Sequence, residues 1–132
     1  MDYVYICRSG DNEELRYSIR STVKNLPEGR IWLVGGKPDW YKGDWINVPD
    51  TNGKLENIAK CWEIIYENKN ISNDFVLMND DFFILNKINN VEPYHNGSLD
   101  QKIQRYMEVF GASKYVRVLS DARNKIQRLG IK

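Results

Sequence analysis

The chain has 132 residues, of which 42% are hydrophobic and 28% charged, with 19 basic and 18 acidic side chains. This length and balance are typical of one globular domain with its own core, and they exclude the strongly basic surface of a nucleic-acid-binding protein. No apolar run approaches the ~18 residues that cross a membrane, and the start of the chain does not fit a signal peptide, so we expect a cytoplasmic protein. Cys7 and Cys61 form neither a disulfide framework nor a zinc set, and we expect both to be reduced core residues.

The first part of the chain predicts a strand and then a helix. Tyr3–Cys7 is β-branched and aromatic, as in a strand, and Arg8–Asn12 is rich in turn residues. A helix follows, because apolar residues recur at helical spacing until Pro27. These positions are Leu15, Ile19, Val23 and Leu26.

The middle of the chain alternates strands with a second helix. Ile31–Val34 is a continuous apolar run, as expected of a strand buried on both faces, and Gly35-Gly36 ends it. Trp45–Val48 predicts a short third strand, and Phe75–Met78 a fourth. Between them Asn52-Gly53 precedes a strong helix. Its predicted buried face contains Leu55, Ile58, Ala59, Trp62, Ile65 and Tyr66.

The last third predicts a polar loop over residues 86–97 and helices over 100–110 and 113–129. Its predicted inward residues are Ile103, Met107, Phe110, Leu119, Ala122, Ile126 and Leu129. Because strands alternate with helices, we expect a single α/β domain, residues 1–132, with a Rossmann-like, mostly parallel sheet and C-terminal helices.

Polar or glycine-rich features follow three of the predicted strands. Arg8 follows the first strand, Gly35-Gly36 the second and Asn79–Asp81 the fourth. Ligands of parallel α/β sheets lie beyond the carboxyl ends of the strands. We therefore expect these features to converge on one edge of the sheet.

The adjacent carboxylates of Asp80 and Asp81 lie between two apolar runs, where an unpaired charge is costly. Hard oxygen ligands of this kind suit Mg²⁺ or Mn²⁺, which in turn bind phosphate oxygens. The alternative is a polar hairpin turn between the strand Phe75–Met78 and a second strand at Phe82–Leu85.

The order of these motifs resembles a known class of enzyme. A glycine near a helix start, an asparagine four residues later and an acidic pair after the next strand are similar to the nucleotide-sugar-binding half of GT-A glycosyltransferases. Here these residues are Gly53, Asn57 and Asp80-Asp81. The resemblance implies a GT-A-type domain.

A longer block is more specific. Glu14–Ser21 reads ELRYSIRS and resembles the block ELRYSLRS of the Stealth family, whose members transfer a sugar phosphate from a nucleotide sugar to a glycan. Three later segments repeat that family's order and approximate spacing, namely Ile31–Val34, Pro38–Trp40 and Asn79–Phe83. The resemblance covers residues 3–85 and implies that residues 1–85 bind the nucleotide sugar, with residues 86–132 on the acceptor side.

The chain differs from that family in two respects. Tyr5–Gly10 replaces its opening YTWVDG-like segment, and its later blocks, which include a catalytic histidine, would fall beyond Lys132. The chain is therefore expected to be a short relative of phage or bacterial type, or a fragment. A homodimer or a longer chain would complete the site of a fragment.

The resemblance and the residue chemistry together assign a site. Asp80 and Asp81 would hold Mn²⁺ or Mg²⁺, and Asp81 and His95 would act in catalysis. The donor cradle would contain Arg8, Arg16, Lys54 and Asn57. The implied function is metal-dependent transfer of a sugar or sugar phosphate from a nucleotide-sugar donor to a glycan or other hydroxyl acceptor.

Simpler interpretations accompany these assignments. Arg16 fits equally a surface arginine paired with Glu13 or Glu14, and Lys54 a solvated lysine at a helix start. His95 fits a loop histidine with a structural hydrogen bond. For the whole chain, the alternative is a non-catalytic module that binds a nucleotide, a sugar or a protein on a glycosyltransferase-like fold.

Overall fold

The computed structural model describes residues 1–51, 53–92 and 97–130. These form two compact units, Met1–Val91 and Glu92–Lys132. The first unit contains the whole of the predicted core, residues 1–85. Each unit is described by itself below.

The first unit is built on a sheet of four parallel strands. In chain order they are β1 (Asp2–Cys7), β2 (Ile31–Gly35), β3 (Asp44–Asn47) and β4 (Phe75–Met78). Their order across the sheet is β3-β2-β1-β4, so β1 lies between β2 and β4. The predicted α/β class with a parallel sheet is confirmed, and each predicted strand limit agrees to within one residue.

Two helices cover opposite faces of this sheet. They are α1 (Glu13–Asn25) and α2 (Lys54–Glu67). Successive side chains of a strand point to opposite faces. Accordingly Tyr5 of β1 packs in one buried cluster with Leu15 of α1, whereas its neighbour Val4 packs in a second cluster with Cys61 of α2. The sheet is therefore buried on both sides.

The strand order contains a switch point next to β1. From β1 the chain proceeds to β2 and then β3 on one side, and it returns to place β4 on the other side of β1. In open parallel sheets, ligands bind at the carboxyl ends of the strands that flank such a reversal. The fold therefore directs attention to the residues that follow β1 and β4.

The hairpin alternative for the acidic pair is wrong. Phe82–Leu85 forms no strand, and β1 is the neighbour to which β4 is hydrogen-bonded. Residues 80 and 81 form a turn after β4, and the chain then continues without regular structure to residue 92.

The predicted buried face of α2 is only partly correct. Ile65 is buried and Ile58 is partly buried, but Leu55 and Tyr66 are 82% and 91% exposed. Trp62, predicted to lie in the core, is 41% exposed. The sheet contacts the side of α2 that carries Cys61 and Ile65, and the described residues leave the side with Leu55 and Tyr66 open to solvent.

The second unit contains the helices α3 (Leu99–Phe110) and α4 (Lys114–Arg128), and the predicted C-terminal helices are confirmed. Ser98 and Gln101 form a capping box at the start of α3. Arg123 of α4 donates to Asp100 of α3 at 2.8 Å. Several residues predicted to face inward are exposed, namely Met107, Phe110, Ala122, Ile126 and Leu129. No helix of the described ranges combines the length and apolarity needed to span a bilayer.

Candidate functional site

A cleft of about 770 Å³ lies at the carboxyl edge of the sheet in the first unit. Its walls come from the ends of β1 and β4, from the loop before α2 and from one face of α2. Its polar lining residues include Arg8, Asp50, Lys54, Asn57, Asn79 and Asp80. This is the edge on which the sequence predicted three polar or glycine-rich features to converge.

The structure brings together part of the predicted site. Arg8, Lys54, Asn57 and Asp80 all line the cleft. Asp81 is exposed and does not belong to its lining, although it is the next residue after Asp80. The turn after β4 thus separates the two adjacent carboxylates.

Arg16 is a predicted site residue that does not belong to the cleft lining. Arg16 lies 3.3 Å from the carboxylate of Glu13, and its guanidinium lies 5.0 Å from the centre of the Trp40 ring. This is the surface pairing that was the alternative to a phosphate contact. His95 lies outside the described residues, and its predicted role stays a prediction.

Asp80 is held by a residue that the sequence analysis did not identify. Asn12, which is buried, donates from Nδ2 to Oδ2 of Asp80 at 2.6 Å. The other side-chain atom of Asn12, Oδ1, accepts from the backbone N–H of Leu15 at 3.0 Å and thereby caps α1. A single amide therefore fixes both the start of α1 and the orientation of Asp80. Asparagine immediately before two glutamates and an apolar helical repeat is a recognisable N-cap signal.

The chain after β4 is fastened along α1 by small polar side chains. Ser18 Oγ lies 3.2 Å from the carbonyl oxygen of Asn79 and 2.5 Å from that of Phe82. Further along, Ser21 Oγ accepts from the N–H of Ile84 at 2.9 Å. Two residues of the ELRYSIRS block therefore hold the acidic turn, which gives a physical reason for the two motifs to occur together.

A buried hydroxyl network supports this attachment from below. Tyr5 Oη lies 3.2 Å from Ser18 Oγ and 2.9 Å from Thr22 Oγ1, and all three side chains are buried. Burial raises the pKa of the Tyr5 hydroxyl, while its bonds to Ser18 and Thr22 act in the opposite direction. The neutral hydroxyl is therefore the form that links β1 to α1.

Gly35 and Gly36 allow β2 to approach the loop after β1. A Cβ atom on Gly36 would lie 2.4 Å from the backbone nitrogen of Ser9 and 2.5 Å from the carbonyl carbon of Arg8. Gly35 has φ +109°, and a Cβ there would lie 2.2 Å from the carbonyl oxygen of Cys7. The glycine pair thus determines where Arg8 leaves the sheet.

The start of α2 supplies backbone N–H groups beside the cleft. Gly53 is the N-cap, and no described side chain caps this end of the helix. Asn57 instead accepts from the hydroxyl of Thr51 at 2.6 Å and from its backbone N–H, which folds the preceding loop onto the helix. With Lys54 exposed in the first turn, this end of α2 is suited to an anion.

The two cysteines are buried, as predicted, and both line the cleft. Burial raises the pKa of the Cys7 thiol to about 12, and the nearby negative charge of Asp80 adds to the effect. Burial likewise raises the pKa of Cys61, with a smaller contribution from Asp50. Because the thiolate is the reactive form, neither thiol is a nucleophile near neutral pH.

Few side chains in the cleft could coordinate a metal ion. In the ranges that the structure describes, no three His, Cys, Asp or Glu side chains are grouped closely enough to hold a metal ion. Two carboxylates, Asp50 and Asp80, line the cleft. Mg²⁺ in nucleotide sites is often held by one or two carboxylates together with phosphate oxygens and waters. The residues present therefore fit a cation that arrives with a diphosphate better than a permanent metal centre.

Searches of family models, of curated proteins and of solved structures find no match for this chain.

Proposed function

We propose that the chain is a GT-A-type, metal-dependent transferase that uses a nucleotide-sugar donor to move a sugar or sugar phosphate onto a glycan or other hydroxyl acceptor. One observation carries the proposal. Asp80 and the cations Arg8 and Lys54 line a single cleft at the carboxyl edge of the sheet, next to its switch point. A carboxylate among cations is the combination that a metal-bound diphosphate requires.

In this function, Asp80 holds Mn²⁺ or Mg²⁺ in the orientation that Asn12 gives it. Arg8 makes no ion pair within the described residues, so its guanidinium is available to a phosphate. Lys54 and the first N–H groups of α2 bind the same diphosphate within this cleft. The bound cation supplies neutralisation of the charge that develops on the leaving nucleotide.

Three residues have roles in this proposal that differ from those predicted from the sequence. Arg16 is left out of the donor cradle because Glu13 and Trp40 engage it. Asn57 shapes the cleft through Thr51 and retains an N–H group for the ligand. Asp81 lies outside the cleft lining and is left out of the metal site.

The experiment that tests the proposal is calorimetric titration with UDP, GDP and CDP, each with and without Mn²⁺. We expect one of the three to bind in a metal-dependent manner. Arg8→Ala should weaken that binding about tenfold, the loss of roughly 1.4 kcal/mol from a charge-assisted contact. Arg16→Ala is the matched control and should leave it unchanged.

A second assay separates an enzyme from a binding module. The nucleotide sugar that contains the base that binds is incubated with Mn²⁺, with and without sugar acceptors. Release of the nucleotide is followed: transfer of a sugar releases the nucleoside diphosphate, and transfer of a sugar phosphate releases the nucleoside monophosphate. Release supports the transferase. Binding without release supports a non-catalytic nucleotide-binding module, and failure of all three nucleotides to bind contradicts both the transferase and that nucleotide-binding module.

A further inference from the structure

The cleft has a polar end and an apolar end, and α2 contributes to both. The helix residues that line it occur at positions i, i+3, i+4, i+7 and i+8, which is one face of a helix. They are Lys54, Asn57, Ile58, Cys61 and Trp62. The charged and amide groups thus lie in the first turn, and the apolar groups lie one to two turns further along.

Trp62 is the largest side chain at the apolar end. It is 41% exposed, as is Leu77 of β4, which also lines the cleft. The Trp62 ring lies 6.4 Å from the ring of Phe75 with the planes at 47°, so one neighbour supports it without covering it. An exposed indole in a cleft is a surface on which a flat ring stacks.

The indole nitrogen of Trp62 is also available. Trp32 and Trp45 donate their Nε1–H groups to Asp2 and to the carbonyl of Gly35. No described residue accepts a hydrogen bond from Trp62. The side chain therefore offers a ring face and a free donor to a ligand, which a core tryptophan does not.

The distance between the two ends of the cleft is comparable to the length of a nucleotide. Lys54 and Trp62 are eight residues apart on α2, which corresponds to about 12 Å along a helix axis. That is about the length of an extended nucleoside diphosphate, measured from its outer phosphate to its base. Positive charge at one end and an open aromatic ring at the other match the two ends of such a molecule.

We infer that Trp62 stacks on the base of the bound nucleotide while its diphosphate lies at Arg8 and Lys54. The inference rests on the proposed function and adds to it the direction in which the donor lies and the residue that recognises the base. Stacking on an aromatic side chain accounts for about a tenfold gain in affinity, and often more.

The test compares a ligand that has a base with one that lacks it. Binding of the tightest of UDP, GDP and CDP, and of pyrophosphate, is measured by calorimetry with Mg²⁺ for the wild type, Trp62→Ala and Trp62→Phe. Tyr66→Ala, one turn further along α2 and outside the cleft lining, is the matched control. Trp62→Ala should weaken nucleotide binding about tenfold and leave the affinity for pyrophosphate unchanged. Trp62→Phe should retain most of the nucleotide affinity. Tyr66→Ala should alter neither affinity.

Fluorescence supplies a readout that a merely structural role of Trp62 does not move. The nucleotide should quench tryptophan emission of the wild type and fail to quench that of Trp62→Phe, even though this variant still binds. If Trp62→Ala unfolds, this comparison alone decides. Base stacking is overturned if quenching is equal in the wild type and Trp62→Phe. It is also overturned if Trp62→Ala weakens the binding of nucleotide and pyrophosphate equally. In both cases the proposed function stands. If the wild type binds no nucleoside diphosphate, both fail together.

Discussion

The amide of Asn12 joins the start of α1 to Asp80: Oδ1 caps the helix at Leu15 and Nδ2 donates to the carboxylate at 2.6 Å. The two residues are 68 positions apart in the chain. A local helix signal thus acts at long range, because the residue that begins α1 also orients the carboxylate that we propose as the metal ligand.

Substitutions of Asn12 should separate its two roles. Asn12→Ala loses the cap, which stabilises a protein by about 1 kcal/mol, as well as the bond to Asp80. Asn12→Ser keeps a capping oxygen and loses only the donor to Asp80, so it should be the more stable of the two variants. Urea unfolding measures the difference, and equal stability of the two variants would show that Asn12 does not act as a cap.

Asn12→Asp adds a test with a defined pH dependence. It keeps a capping oxygen but places a second carboxylate against Asp80, so that two like charges repel each other in the folded state once both groups are ionised. The destabilisation should therefore be absent below the ordinary carboxyl pKa of about 3.9 and should develop as the pH rises above it. Stability equal to that of Asn12→Ser at pH 7 would contradict the contact with Asp80.

Removal of the Ser18 hydroxyl should loosen the acidic turn. Ser18 is fully buried, and Ser18→Ala leaves the carbonyls of Asn79 and Phe82 without this donor. We expect a loss of about 1–3 kcal/mol in the free energy of unfolding. Ser9→Ala, at an exposed loop position, should change it by less than about 0.5 kcal/mol. A similar effect of the two substitutions in urea unfolding would rule out this attachment.

Gly36→Ala should be far more damaging than a glycine substitution in open space. Its Cβ would lie 2.4 Å from the backbone nitrogen of Ser9, which cannot rotate away as a side chain would. At Gly111, φ +60° and ψ −156° lie in a backbone region that is essentially restricted to glycine, but nothing lies within 4 Å of the added Cβ, so Gly111→Ala carries only backbone strain, about 1–3 kcal/mol. The thermal midpoint of Gly36→Ala should therefore fall further, and a smaller fall than for Gly111→Ala would be inconsistent with the close approach.

Alkaline pH should destabilise the first unit through its buried acids. Burial raises the pKa of both Cys7 and Tyr41 to about 12. In the unfolded chain these groups ionise from about pH 8.5 and 10, so the unfolded state releases protons first and stability falls as the pH rises toward 12. The fall is at most about 1.4 kcal/mol per pH unit for each group.

Urea midpoints at pH 7.5, 9 and 10 measure this effect. Cys7→Ala should be less stable than the wild type at pH 7.5 because it leaves a cavity, and its urea midpoint should fall less between pH 7.5 and 10. Parallel pH profiles for the two proteins would show that the thiol does not contribute.

The sequence was sufficient to predict the elements of the fold because each has a strong local pattern. The apolar run Ile31–Val34 and the helical repeat from Leu15 to Leu26 needed no distant information. The face of α2 was different. Leu55 and Tyr66 share the helical period, but burial also depends on which side the sheet covers, and a periodic pattern does not give that direction.

The site was predictable only in part for the same reason. The convergence of Arg8 and Asp80 follows from parallel strands whose carboxyl ends share an edge. That Asp81 lies outside the cleft depends on the turn after β4, and that turn is fixed by Ser18, more than 60 residues earlier in the chain. Such long-range contacts leave no local signal.

The most direct measurement compares Asp80→Asn with Asp81→Asn in calorimetric titrations of the nucleoside diphosphate that binds, with and without Mn²⁺. Each substitution removes one charge and keeps the side-chain shape. If the cleft is a metal-dependent donor site, Asp80→Asn abolishes the enhancement by Mn²⁺ and Asp81→Asn retains it. Retention of the enhancement by Asp80→Asn, or its absence from the wild type, would contradict a donor site built on Asp80.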